Sequence, residues 1–224
     1  MKIDPLGDSA LIINLADKIS DSSGLLARVL SAAETIERAK LPGVIDVTSS
    51  YESVAVFFQI TQLGPDFEDR IRALIASAGV RVSGKRRRVE IPVCYDEEFA
   101  LDLKRVANHT SLTPDAIVAL HSSAEYTVAC IGFMPGFPFL AGLPQPLCVP
   151  RLESPRTKVS AGSVAIANAQ AGVYPLESPG GWNVLGRTPL PLFRVNESPP
   201  TLLQPGDYVH FRRITRAEFD VFKQ

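Results

Sequence analysis

The sequence predicts an α+β fold in two parts: a small ferredoxin-like α/β domain over residues 1–92 and a β-barrel domain over residues 93–224. Three observations carry this reading. Of the 18 prolines, only Pro5, Pro42 and Pro65 precede residue 92, and proline fixes φ and gives no donor to a ladder, so the later part is rich in loops. Before residue 92 the apolar residues alternate between strand and helix periods. From residue 125 onward the pattern is short β runs broken by Gly and Pro, the mark of a closed or nearly closed barrel.

Taken in order, residues 10–15 form a short apolar strand. Leu25, Leu26, Val29, Leu30, Ala33 and Ile36 recur at helical spacing over residues 21–40, with Ser22 or Ser23 as the cap. Residues 44–48 and 53–60 read as two strands, and Pro65 opens a second helix with Phe67, Ile71, Leu74 and Ile75 on one face. An alternating strand over 88–93 completes the order β-α-β-β-α-β. Two short helices follow at 98–108 and 114–121, the second with Thr113 as N-cap and Pro114 at its first position. The remaining strands fall at 126–131, 164–167, 172–174, 182–185, 190–193 and 207–211.

A chain of 224 residues that is 46% hydrophobic has enough apolar side chain for a proper core and is no disordered tail. Lys and Arg total 23 against 24 Asp and Glu, so the basic excess of a nucleic-acid binder is missing. Cys94, Cys130 and Cys148 are too few for a disulfide framework and lack zinc spacing. Asp4 and Pro5 sit where a signal peptide would be basic and then apolar, and no run approaches 18 apolar residues. The expectation is a cytoplasmic protein that binds neither membrane nor nucleic acid. The basic run from Lys85 to Arg88 reads as a phosphate patch or as a solvated strand start.

Residues 125–187 are the chemically dense segment, since long Gly/Pro-rich sequence is costly to order unless rigid loops build something. Phe133, Phe137, Phe139 and Trp182 are candidate apolar walls, the alternative being that they plug the barrel. Arg151, Arg156 and Arg187 can each fork onto a carboxylate or phosphate, and Gln170 and Tyr174 can read an amide or carbonyl. Ser178, Pro179, Gly180 and Gly181 resemble a turn whose backbone N–H groups converge on an anion. No Walker loop occurs. The three arginines together point to a small anionic ligand, although each alone could be an ordinary surface pair.

His121 at a helix C-terminus and Glu125 four residues on suit an acid–base pair, with a His capping the helix carbonyls as the alternative. His109 and His210 are scattered, so no metal site is expected on this chain. There is no GxSxG elbow; Cys94 has acidic neighbours at Asp96, Glu97 and Glu98, and Cys130 lies in an apolar strand.

The stretches GDSALIINL (7–15), PGVIDVTSSYESVAVFF (42–58), VEIPVCYDEEFALDL (89–103), LHSSAEYTVACIGFMPGFPFLAGLP (120–144) and PRTKVSAGSVAIANAQAGVYPLESPGGWNVLGRTP (155–189) resemble one family nearly end to end. It is the family of B subunits of the bacterial ATP-dependent 5-oxoprolinase, also described as allophanate hydrolase subunit 1 and as Kip-type inhibitors of a sporulation histidine kinase. Ser160 stands where that family usually has Pro, and Ala171 where it usually has Thr. The resemblance implies a cyclophilin-like C-terminal barrel and a reaction in which 5-oxoproline, ATP and water give glutamate, ADP and phosphate. It implies the C and A subunits of 5-oxoprolinase as partners, and ATP with Mg2+ in the assembled complex, no cofactor site being visible on this chain. For such a reaction the residue readings above make His121, Glu125 and Arg187 the catalytic candidates. Phe133, Phe137, Arg151, Arg156, Gln170, Tyr174, Ser178, Gly180, Gly181 and Trp182 would bind the substrate. A regulatory protein acting on a histidine kinase, or a subunit of an allophanate-type amide hydrolase, are the alternatives that the resemblance leaves open.

Overall fold

The computed structural model describes residues 1–16, 22–78 and 86–222. The chain divides into two compact units, Met1–Arg86 and Arg87–Gln224. Among the described residues no helix is long and apolar enough to cross a membrane.

The first unit contains β1 (Lys2–Pro5), β2 (Ala10–Asn14), α1 (Ser22–Arg38), β3 (Val44–Ser49), β4 (Ser53–Phe58) and α2 (Phe67–Ser77). Its strands form one antiparallel sheet in the order β1-β2-β4-β3. Val54, Val56 and Phe58 are buried while Ala55 and Phe57 are not, so a strict period of two turns one face inward. That face packs on Val29 and Ile36 of α1 and Ile71 and Ile75 of α2 in one cluster. The helix caps expected at Ser22 or Ser23, and Lys85 of the basic run, lie outside the described residues and side chains.

One expected element belongs elsewhere. The strand at 88–93 does not join this sheet: β5 (Arg88–Cys94) runs parallel to β13 (Tyr208–Ile214), Ile91 opposite Phe211, in the second unit. The fourth strand of this sheet comes instead from the front of the chain: β1 lies beside β2 and pairs Ile3 with Ile13. The alternation in 88–94 is correct for a strand but is silent on its partner, and Ile91 and Val93 are buried among barrel residues instead.

The second unit is a closed seven-stranded barrel made of β5, β13, β6 (Glu125–Ile131), β7 (Pro138–Ala141), β9 (Ser163–Ala167), β10 (Gln170–Val173) and β12 (Asn183–Arg187). Their order around the barrel is β10-β7-β6-β13-β5-β12-β9. Every strand contributes to a single interior cluster, with Val128, Leu140, Val164, Ile166, Leu185 and Phe211 at its centre. Outside the ladder, β8 (Arg156–Val159) and β11 (Ser178–Gly180) pair with each other as a two-stranded ribbon. Helices α3 (Leu103–Thr110) and α4 (Pro114–Ser123) pack on the barrel through Val106, Ile117 and Val118. The Thr113 hydroxyl accepts from the Ala116 N–H at 3.2 Å, the cap its sequence position predicts. A capping box of Thr215 and Glu218 starts α5 (Arg216–Val221). The strand expected at 190–193 is reduced to one bridge between Phe193 and Thr201, because Pro189 and Pro191 remove the donors a ladder needs.

Candidate functional site

The barrel wall has a second apolar layer on its outer face. Alternation turns Val164 and Ile166 of β9 inward, and Ala165 and Ala167 outward; likewise Leu185 of β12 faces in and Val184 faces out. The outward residues are small, and β10 places Gly172 beside them, where a Cβ would come within 2.9 Å of the Phe137 ring. This floor lets an aromatic layer settle directly on the sheet. Phe137 is its hub, with ring centroids 5.2 Å from Tyr174, 5.5 Å from Trp182, 5.0 Å from Phe139 and 5.5 Å from Phe133, all steeply inclined edge contacts. The aromatics therefore do not plug the barrel. The two segments singled out by the sequence, around Phe133–Phe139 and Ser178–Trp182, meet in one ring cluster. At its edge Phe133 is 67% exposed. Its φ of 66° is a conformation that a bulky side chain adopts at a cost, as functional loops often do.

The ribbon covers this layer. Val159 of β8 is buried in it, and a Cβ at Gly180 of β11 would fall on the Tyr174 hydroxyl, so only glycine lets the strand lie on that ring. Ser178, Pro179 and Gly180 are thus a strand, Ser178 opposite Val159 and Gly180 opposite Arg156, and not the anion-binding turn their composition suggested. Gly181 continues out of it with its carbonyl accepting from the Leu152 N–H at 2.8 Å.

The three arginines separate sharply. Arg156 holds both oxygens of Asp102 in a fork, at 2.9 and 2.7 Å, and the Asp102 side chain is only 4% exposed. Asp102 also accepts from the Val184 N–H at 2.7 Å, and its own N–H donates to the Val184 carbonyl at 2.9 Å. This carboxylate, absent from the sequence-based site, ties the start of α3, strand β12 and the ribbon together. Nothing in the run LDLKRV marks it, because a single Asp between two leucines looks like a helix-surface residue. Arg187 donates from Nε to the Ala161 carbonyl at 2.8 Å and lies over the Phe99 ring at 5.8 Å. Arg151 alone is exposed with no carboxylate partner among the described residues, its guanidinium 5.9 Å from the Trp182 ring centroid. Burial raises the pKa of the Tyr174 hydroxyl, while the Trp182 backbone and the charges of Arg151 and Arg156 pull it down, so the phenol stays protonated at neutral pH. Gln170 sits at the β9–β10 hairpin opposite Ala167.

His121 and Glu125 do not form the expected acid–base pair. His121, on the inner face of α4, is fully buried and stacked on Phe211 at 4.6 Å, with Nδ1 sharing a 2.8 Å hydrogen bond with the Tyr95 hydroxyl and Nε2 without a partner among the described residues. Glu125 pairs with Arg88 at the surface. Helix-end position favours a charged ring, but desolvation outweighs it and lowers the His121 pKa to about 3. The folded ring is neutral at physiological pH, and protonation favours the unfolded chain. The stability it confers is complete above its unfolded pKa of about 6.5 and is lost as pH falls towards 3. Wild type is expected to lose about 2 kcal/mol more than His121→Gln between pH 6.5 and 4.5, measured by urea unfolding. Parallel pH profiles for the two proteins would show that His121 is not held neutral.

Arg87 of the basic run is also internally engaged. It bonds Asp207 at 2.5 Å and the Leu202 carbonyl at 2.6 Å. Ala171, where the resemblance usually has Thr, faces the barrel interior and not the ring cluster, so it touches no candidate ligand contact.

The family described as carboxyltransferase domain, subdomain C and D, matches residues 1–203. A Bacillus subtilis protein named as the B subunit of 5-oxoprolinase is 40% identical over 238 residues, covering 100% of this chain and 97% of that protein. A Haemophilus influenzae protein of the same name is 40% identical, covering 94% of this chain and 97% of that protein. Among solved structures, TTHA0988 superposes with a TM-score of 0.79 at 36% identity, covering 92% of this chain and 40% of that one. This chain therefore spans less than half of that longer protein.

Proposed function

We propose, starting from the fact that this chain belongs to the carboxyltransferase-domain family of subdomains C and D, that it is the B subunit of a 5-oxoprolinase. In this reading it opens the lactam of 5-oxoproline to glutamate at the expense of ATP, in the cytoplasm, together with the A and C subunits. The observation that carries the reading is the end-to-end likeness to two chains of that name, 40% identical each. The ring cluster supplies the chemistry. 5-Oxoproline is a small apolar ring bearing one carboxylate and one amide. Arg151, with no carboxylate partner among the described residues, takes the carboxylate, and the exposed Phe133 with Trp182 screens the lactam ring from water. The Tyr174 hydroxyl is buried under Gly180, so it serves the packing of the cluster and does not meet the lactam. Glu125, Arg187 and His121 are given no part in this scheme, since each is engaged elsewhere or buried.

A triphosphate does not fit the same rim. Of the three candidate arginines only Arg151 lacks an oxygen partner among the described residues, which is too little charge, and among those residues no group of three His, Cys, Asp or Glu could hold a metal ion. The groups that handle phosphate are assigned to the companion subunits, so this chain binds, orients and shields the lactam. Trp182, the only tryptophan in the sequence, lies in the cluster and reports on it. Titration of the isolated chain with 5-oxoproline is expected to change Trp182 emission saturably. A flat response up to the solubility of the ligand would remove the ligand from this surface.

A further inference from the structure

The ring cluster has two guanidinium groups beside one phenol, yet one of them is cancelled. Arg156 is 30% exposed, near enough to solvent to meet a ligand, and its strand places it opposite Gly180, which lies on the Tyr174 ring. Its fork, however, is filled by Asp102, a carboxylate 4% exposed whose remaining capacity goes to the Val184 N–H. We propose that Asp102 is a specificity-determining residue: by occupying Arg156 it leaves Arg151, which overlies Trp182 with no carboxylate partner among the described residues, as the cation that meets the ligand, and so restricts this site to small monoanionic acids. This rests on the reading of the ring cluster as the ligand site and deepens it.

The physical basis is charge matching. A dianion such as succinate or a phosphate needs two cations to offset its desolvation, and with one of them neutralised it stays better solvated in water. A monocarboxylate needs one and loses nothing. Asp102 thus works at a distance from the ligand, through Arg156, and its removal should add a binding group to the rim instead of deleting one. Asn at position 102 keeps an acceptor for the Val184 N–H and releases the guanidinium, which its partial exposure leaves hydrated.

The test is a Trp182 emission titration of the full chain with 5-oxoproline, a monoanion, and with succinate, a dianion, in wild type, Asp102→Asn and the double variant Asp102→Asn/Arg156→Gln. Wild type is expected to prefer 5-oxoproline. Asp102→Asn should move the affinity ratio towards succinate by about tenfold, the change one added ion contact commonly makes. The double variant restores a single rim cation and should restore the wild-type ratio. A merely structural Asp102 would weaken both ligands equally in Asp102→Asn and leave the ratio fixed, and that result overturns the proposal. If Asp102→Asn does not fold, as judged by circular dichroism, Asp102→Ser takes its place in the same comparison: a ratio moved towards succinate supports charge setting, and a fixed ratio overturns it. Failure of wild type to bind 5-oxoproline at all removes the ligand reading and this inference with it. Binding with an unaltered ratio removes only the inference.

Discussion

Replacing Arg156 by methionine is expected to destabilise the second unit by roughly 2–4 kcal/mol, lowering its melting temperature by about 5–15 °C. Methionine has nearly the length of the arginine stem, so little apolar packing is lost. What remains is Asp102, 4% exposed, with one backbone N–H and no counter-charge. Breaking a buried pair from one side leaves an ion in a poorly solvating place, which costs more than the pair contributed. The effect should be much smaller in Asp102→Asn/Arg156→Met, where both charges are gone. Equal losses in the single and double variants would show that Arg156 stabilises through packing of its stem.

The second large effect falls on function without stability. Arg151→Gln is expected to lower kcat/KM for 5-oxoproline in the assembled enzyme by about 10- to 100-fold, the range for losing a hydrogen-bonded charge contact. Arg151 is exposed and only overlies Trp182, so the melting temperature should hold to within about a degree. Arg187→Gln makes the contrast, because Arg187 bonds the Ala161 carbonyl and stacks on Phe99. Its loss should appear in stability first. A larger kinetic defect from Arg187→Gln than from Arg151→Gln would reverse the assignment of the ligand cation.

How far the sequence carries this account differs by level. Period and capping were legible: Phe67, Ile71 and Ile75 mark α2, and Thr113 caps α4 as its position requires. Pairing was not, because strand alternation does not name a neighbour, and 88–94 reads equally well as the end of one domain or the wall of the next. For the candidate site, proline and glycine density pointed to two segments that the structure brings together, and the rings of Phe133, Phe137, Tyr174 and Trp182 do assemble. Which arginine is free could not be read, since that depends on Asp102 lying 54 residues from Arg156 along the chain. His121 failed for a related reason. Helix position is a local signal favouring the charged ring, while the burial that outweighs it comes from Tyr95, Tyr126 and Phe211, contributed by separate segments.

The central claim, that this chain serves a 5-oxoprolinase by presenting the lactam to groups held on companion subunits, is tested most directly by ATP-dependent release of glutamate from 5-oxoproline. The isolated chain should release none. Addition of the A and C subunits should give turnover, and omission of this chain from the mixture should abolish it. Full activity in the isolated chain, or an undiminished rate from the other two without it, would contradict the account.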